Sequence, residues 1–281
     1  MTREQKKHLI TVAYHVFILL LAFIVFYPVL WLIASSLKTQ AEIWQNSHSL
    51  IPSFQWENYR IGWEGFGRFS FAVFFRNSFI ITITSTIGQV STSALVAYGF
   101  ARVRFRFKKF WFTCVILTML LPQQVLLIPQ YVMFSTVGWV NTWLPLIVPS
   151  FFGLPFFIFL MLQFIRGIPH ELDESAVIDG CSKYGIFFRI ILPNLTPALV
   201  TAMIFSFYWK WEDFMGPLIY LQSTRLYPVS LALRMFADPA AVTNWGGMFA
   251  MSTLSLLPVF LLFVMFQKYL VEGIATTGLK G

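Results

Sequence analysis

Charge is scarce in this 281-residue chain, with only 11% of residues being Asp, Glu, Lys or Arg. Soluble domains carry roughly a quarter, so the shortage argues against a water-soluble fold. Cysteine is nearly absent: Cys114 sits in an apolar stretch and Cys181 in a polar one, which gives neither a disulfide framework nor a metal cluster. Each reads as a small buried residue. No internal repeat and no low-complexity linker is present, so nothing resembles the paired halves of a secondary transporter. The four His are scattered, and no Ser/His/Asp set or convergent carboxylate pair is found. No catalytic residue, bound cofactor or metal site is therefore expected.

What is abundant is apolar surface. Hydrophobic residues make up 57% of the chain, with 32 Phe and 10 Trp, and the mean hydropathy is +0.70. Such rings suit lipid and the headgroup boundary, which makes aromatic stripes poor evidence for a ligand site. The net charge of +8 is dispersed among apolar segments rather than gathered on a polar module, so nucleic acid is not the expected partner. The lipid bilayer is.

A span needs roughly 20 mostly apolar residues. The sequence predicts an all-α membrane protein of about six transmembrane helices, near 9–37, 77–101, 110–134, 143–165, 193–220 and 246–270. Between Lys109 and Arg166 no charged residue occurs, too long a run for one helix. It divides near Gly138-Trp139-Val140-Asn141, where turn formers cluster. Residues 1–8 form a short basic N-terminus, 9–271 the membrane domain and 272–281 a tail. The first apolar run exceeds the roughly 7 to 15 residues of a signal sequence and is read as a retained helix. Pro122, Pro129, Pro145, Pro149 and Pro155 punctuate the spans as kinks that neighbouring helices can accommodate.

With six spans both ends share one side. Placing that side in the cytoplasm gathers Arg3, Lys6, Lys7, Arg102, Arg104, Arg106, Lys108, Lys109, Arg166, Lys183, Arg189, Lys268 and Lys280 there. Only Lys38, Arg60, Arg68, Arg76, Arg225 and Arg234 fall outside, and Lys210 falls within a span. The enrichment of Lys and Arg in cytoplasmic segments thus predicts a multi-pass protein with both termini inside.

The polar loop 168–193 carries the most information. Pro169 suits a first helical turn, and Glu171, Asp173 and Glu174 follow near the positive end of the helix dipole. Ser175 and Ala176 are small and Gly180 has no side chain. A short helix and a tight turn, closely approachable by another protein, are expected. Glu174, Ala176, Asp179, Gly180, Leu192 and Pro193, in this order and spacing, resemble the EAA loop of ABC importer permeases, with Ser175 in place of the commoner Ala. The resemblance implies a type I ABC importer transmembrane domain. There this loop forms a cytoplasmic coupling helix that docks on a separate ATPase subunit.

The ending Phe266 to Gly281 is similar to that of the carbohydrate-uptake branch of these permeases, whose Gly-rich tail reaches between two ATPase subunits. Gly273, Gly278, Lys280 and Gly281 are its counterparts, and an extended, bending tail is expected. Gly273 and Gly278 have Walker A spacing, but Leu279-Lys280 follows them instead of Lys-Ser or Lys-Thr, so the phosphate cradle is missing. Further likeness runs through Leu121-Pro122-Gln123-Gln124, Ile128-Pro129, Pro217-Leu218 and Tyr227-Pro228-Val229. In Trp211-Glu212-Asp213-Phe214, Glu212 stands where the family usually has Asn.

The resemblance implies a permease subunit of an ATP-driven, binding-protein-dependent importer for a sugar or oligosaccharide in the bacterial cytoplasmic (inner) membrane. ATP and Mg would then belong to two partner ATPase subunits. A second homologous permease and an extracytoplasmic substrate-binding protein, met by the outer loop Ser223 to Asn244, complete the assembly. An acidic oligosaccharide, a sugar phosphate and a polyol stay open as cargo. A self-contained secondary transporter or an integral membrane enzyme would account for the hydropathy but not for the pattern from Glu174 to Pro193. Ionisable groups within a span mark functional sites by default, which selects Lys210 and Glu212 with Trp209 and Trp211 as a substrate pathway. The competing reading is an internal ion pair between Lys210 and Asp213, three residues apart.

Overall fold

The computed structural model describes residues 3–236 and 244–278, and among these every regular element is helical. The first helix, α1 (Arg3–Ser36), has 34 residues and is roughly 50 Å long at the usual rise. None of its apolar window from Ile10 is buried within the chain, as suits a helix solvated by lipid. Two short helices follow, α2 (Gln40–Gln45) and α3 (Glu57–Glu64). Thr39 starts α2 with a reciprocal cap, its hydroxyl accepting from the Glu42 N–H while the Glu42 carboxylate accepts from the Thr39 N–H. On α3, Arg60 pairs with Glu57 and Glu64 one turn to either side.

The chain continues through α4 (Phe71–Arg102), α5 (Lys108–Met119), α6 (Gln123–Thr136) and α7 (Leu144–Ile147). A 3-10 stretch (Val148–Phe152) leads into α8 (Pro155–Arg166). The polar loop contains α9 (Glu171–Ile178), α10 (Lys183–Ile186), a π-helical turn (Phe187–Ile191) and α11 (Leu192–Asn194). Then come α12 (Thr196–Glu212), α13 (Met215–Tyr220), a 3-10 turn (Thr224–Leu226), α14 (Val229–Met235) and α15 (Trp245–Gly278).

Four helical stretches are long and apolar enough to cross a membrane: Ile10–Ser36, Phe71–Arg102, Leu144–Arg166 and Trp245–Tyr269. The number rises to six if each of two bent pairs counts as one span. Two of the expected spans are broken by identifiable chemistry. The helix expected over 110–134 splits at Leu121-Pro122 into α5 and α6, bent by 105°, because proline donates no backbone bond and disfavours helix in the residue before it. The helix expected over 193–220 is interrupted twice. Pro193 and Pro197 flank a 76° bend between the segment Lys183–Asn194 and α12. At the far end Asp213 leaves the helical region, and its Oδ1 accepts the Gly216 N–H at 3.0 Å to start α13. The helix expected from 77 begins six residues earlier, at Phe71.

The chain divides into two compact units. One comprises Met1–Phe71 with Leu233–Leu257. Within it the Asn58 amide donates to the carbonyls of Ser36 (2.9 Å) and Lys38 (2.8 Å). A Cβ on Gly246 would lie 2.4 Å from Asn58 Oδ1, so only glycine fits there. Trp31 packs edge-on against Phe249.

The other unit comprises Ala72–Ala232 with Pro258–Gly281. A buried core runs through Val90, Ala94 and Ala97 of α4, Phe157, Met161 and Ile165 of α8, Ala176 of α9, and Ala198 and Ala202 of α12. A stripe of buried polar residues also lies along α4: Asn77, Ser78, Thr82, Ser85, Thr86, Gln89 and Ser93. These are used for helix association, as small and polar side chains are inside a membrane. Ser206 Oγ of α12 donates to Gln89 Oε1 at 2.7 Å, Ser85 Oγ donates to the Leu146 carbonyl at 3.2 Å, and Ser78 Oγ accepts the Val229 N–H at 2.8 Å.

Candidate functional site

The polar loop folds as the acidic pattern and Gly180 lead one to expect. The His170 carbonyl accepts the N–H groups of Asp173 and Glu174, opening α9 with three carboxylates in its first turn. Ser175 Oγ donates to the Glu171 carbonyl at 2.8 Å. At the other end the Gly180 N–H bonds to the Val177 carbonyl and the Cys181 N–H to the Ala176 carbonyl, with Gly180 at φ +80. This is the Schellman closure, which needs a left-handed residue at that position.

Only Ala176 of α9 is buried, at 6% exposure, and it plugs the helix into the core. Glu171, Glu174, Ser175, Asp179 and Gly180 face outward. So do large apolar residues: Ile178 is 86% exposed and Tyr184 76%, with Leu172, Val177 and Phe188 also open. A helix that is acidic at its start and carries Val177 and Ile178 uncovered at its end is a surface suited to another protein.

α4 holds this segment from behind. Arg102, its last residue, has its Nε 2.6 Å from Asp173 Oδ2 and donates from Nη1 to His170 Nε2 (2.9 Å) and from Nη2 to the Ile168 carbonyl (2.6 Å). One turn earlier Tyr98 donates to the Lys183 carbonyl at 3.0 Å and packs on Phe187. In the sequence Arg102 reads only as an orientation signal and Asp173 only as a helix-dipole partner. No local spacing pairs residues 71 positions apart.

Leu192 and Pro193 do not share the exposed face of α9. They lie at the bend before α12, where the Leu192 N–H bonds to the Phe187 carbonyl in a π turn. Pro193 has no N–H with which to continue the regular ladder.

On α12 the four pathway candidates are not on one face. Trp209 and Trp211 are about 200° apart around a helix. Trp209 stacks on Phe157 at 5.5 Å, whereas Trp211 is 5% exposed, stacked on Phe207 and leaning on Phe79. Trp211 is therefore a packing residue. Glu212 is exposed and accepts a hydrogen bond from Tyr208. Lys210 is half-buried, and among the described residues no ion pair joins it to Asp213. One Asp213 oxygen is instead taken by the cap on α13.

The expected extended tail differs as well. Helix α15 continues to Gly278 and takes in Gly273, since one glycine costs a helix only about 1 kcal/mol. Lys280 and Gly281 lie outside the described residues, as do positions 237–243 of the loop Ser223 to Asn244. Among the described residues no group of three His, Cys, Asp or Glu gathers in a way that could hold a metal ion.

Residues 89–276, which include α9 and α12, match the family of binding-protein-dependent transport system inner membrane components. The chain belongs to that family. It is thus a membrane component of a transport system, and the family takes its name from a separate binding protein. This permease is 36% identical over 267 residues to a probable ABC transporter permease protein, YurM, of Bacillus subtilis, covering 95% of this chain and 87% of the relative. The arabinooligosaccharides transport system permease protein AraQ of Halalkalibacterium halodurans is 31% identical over 264 residues, with 93% of each chain covered. In fold, the permease is similar to a chain in the crystal structure of a bacterial ABC transporter involved in the import of the acidic polysaccharide alginate. The TM-score is 0.78 at 19% identity, over 96% of this chain and 98% of that one. The all-helical membrane fold is therefore that of an ABC importer transmembrane domain.

Proposed function

We propose that this permease is one membrane subunit of an ATP-driven importer that moves a sugar or oligosaccharide into a bacterial cell. ATP and Mg bind to two separate ATPase subunits, and a second, homologous permease completes the pathway. An extracytoplasmic binding protein delivers the cargo. The single observation that carries this reading is the surface of α9, with Glu174 and Asp179 beside uncovered Val177 and Ile178 on a helix anchored by Ala176. Both termini and α9 lie on the cytoplasmic side, a reading supported by the basic residues clustered at Arg102 to Lys109, Arg166, Lys183 and Arg189. Saccharide cargo is supported by relatives such as the arabinooligosaccharides permease.

Docking of Glu174, Ser175, Ala176, Asp179 and Gly180 on an ATPase transmits its closure, and Leu192-Pro193 acts as the hinge toward α12. Gly273, Gly278, Lys280 and Gly281 make a second contact with the ATPases. Trp209, Lys210 and Glu212 contribute to the pathway. An acidic oligosaccharide stays open within the saccharide class, because Lys210 is half-buried without an ion pair among the described residues, while Asp213 is near enough to act on its charge.

The test is uptake of labelled oligosaccharides by vesicles containing both permeases, with and without the ATPases and binding protein. The expected result is uptake only when ATP and every subunit are present, abolished by Ile178→Asp, which puts a charge into the docking face. Uptake by the permeases alone, without nucleotide, would refute the proposal.

A further inference from the structure

The eight-residue helix α9 touches its own core through one small side chain, Ala176. An isolated helix of that length is not stable in water, so its direction is set by its tethers. The covalent tether toward α12 runs through a π turn and a 76° bend at Leu192 to Pro197, so it is not a straight continuation of one helix. The second tether is α4. Tyr98 and Arg102, four residues apart on one face, hold the two ends of the segment at Lys183 and at Ile168 to Asp173. The Arg102 side chain is 5% exposed and that of Asp173 15%. Asp173 Oδ1 and Arg102 Nε are both buried without a hydrogen-bond partner among the described residues, so the two residues are held together by charge, with His170 Nδ1 a further 3.9 Å neighbour of Asp173 Oδ2. Glu171 and Glu174, by contrast, face outward. Breaking one side of a pair this buried strands a charge.

We infer that Arg102 and Asp173 are positioning residues that carry the movement of α9 directly into α4. From there it passes to α12 through the bond between Gln89 and Ser206. The inference rests on the importer reading above, because it needs an ATPase to move α9. It adds a rigid lever beside the hinged covalent path. Its logic is that of coupling, in which a rigid element with two arrangements is biased from one end.

The experiment uses the complete importer in vesicles and reads three quantities: ATPase co-purified with the permease, ATP hydrolysed, and substrate taken up per ATP. Arg102→Gln and Asp173→Asn are expected to keep ATPase binding but to lose uptake per ATP by roughly tenfold, the size of a typical coupling energy. Arg102→Lys, which keeps the charge without the fork, is expected to recover to within about threefold of the parent. Uptake per ATP within about twofold of the parent in either neutral variant would overturn the inference. Loss of assembly in both would assign the pair to folding and overturn it as well. Uptake by the parent without ATP would overturn the importer reading itself, and the lever with it.

Discussion

At the scale of single residues, Gly180 shows how a backbone requirement becomes a functional one. A side chain there meets nothing within 4 Å, so space does not select glycine. The φ of +80 does, since a Cβ in the left-handed region costs roughly 1–2 kcal/mol. Gly180→Ala is expected to loosen the Schellman closure, speeding amide exchange across Glu171 to Cys181 by about tenfold while the rest of the chain is unchanged. Unchanged exchange there would show that the closure does not depend on glycine. Phe107 at φ 60 and Asn141 at φ 61 show that the same region is open to other residues where something else holds them. Asn141 is held by its own amide: Oδ1 accepts the N–H groups of Gln222 and Ser223, and Nδ2 donates to Ser223 Oγ.

At the scale of elements, those bonds fasten the turn between α6 and α7 to the end of α13. Asn141→Ala would leave two backbone donors short of partners and put alanine at positive φ. A loss of about 2–4 kcal/mol is expected, measurable as a lowered unfolding midpoint of the purified complex. A change below about 1 kcal/mol would mean that water replaces the tie.

The turn itself was legible, because Gly138 and Asn141 interrupt an otherwise charge-free run. The prolines were legible as interruptions but not in their effect. Pro122 and Pro193 coincide with breaks, while Pro28, Pro129 and Pro258 lie inside helices, and neighbouring groups rather than proline itself decide the outcome. The polar stripe from Asn77 to Ser93 also went unread. Its spacing was visible, but Ser and Thr in a span report packing only once their partners, here Leu146, Ser206 and Val229, are in place. Lys210 and Asp213 failed differently. Helical spacing allowed an ion pair as readily as a substrate contact, but the helix ends at Asp213, one of whose carboxylate oxygens caps the next helix.

At the scale of the whole molecule, the membrane class followed from composition, because 57% hydrophobic residues and 11% charged leave no soluble alternative. Family membership was readable in the six positions from Glu174 to Pro193, and it is shown by the match over residues 89–276. The latch between Arg102 and Asp173 was not readable, since its two halves are far apart in sequence and each has a sufficient local explanation. In the proposed importer α9 faces the cytoplasm and is covered there by an ATPase. The most direct test places a single cysteine at Ile178 with Cys114 and Cys181 changed to serine, and labels it with a membrane-impermeant thiol reagent in cells carrying the permeases with and without the ATPases. Labelling is expected only after permeabilisation, and it should be blocked when the ATPases are bound. Labelling of intact cells from outside, or equal labelling with and without the ATPases, would contradict the account.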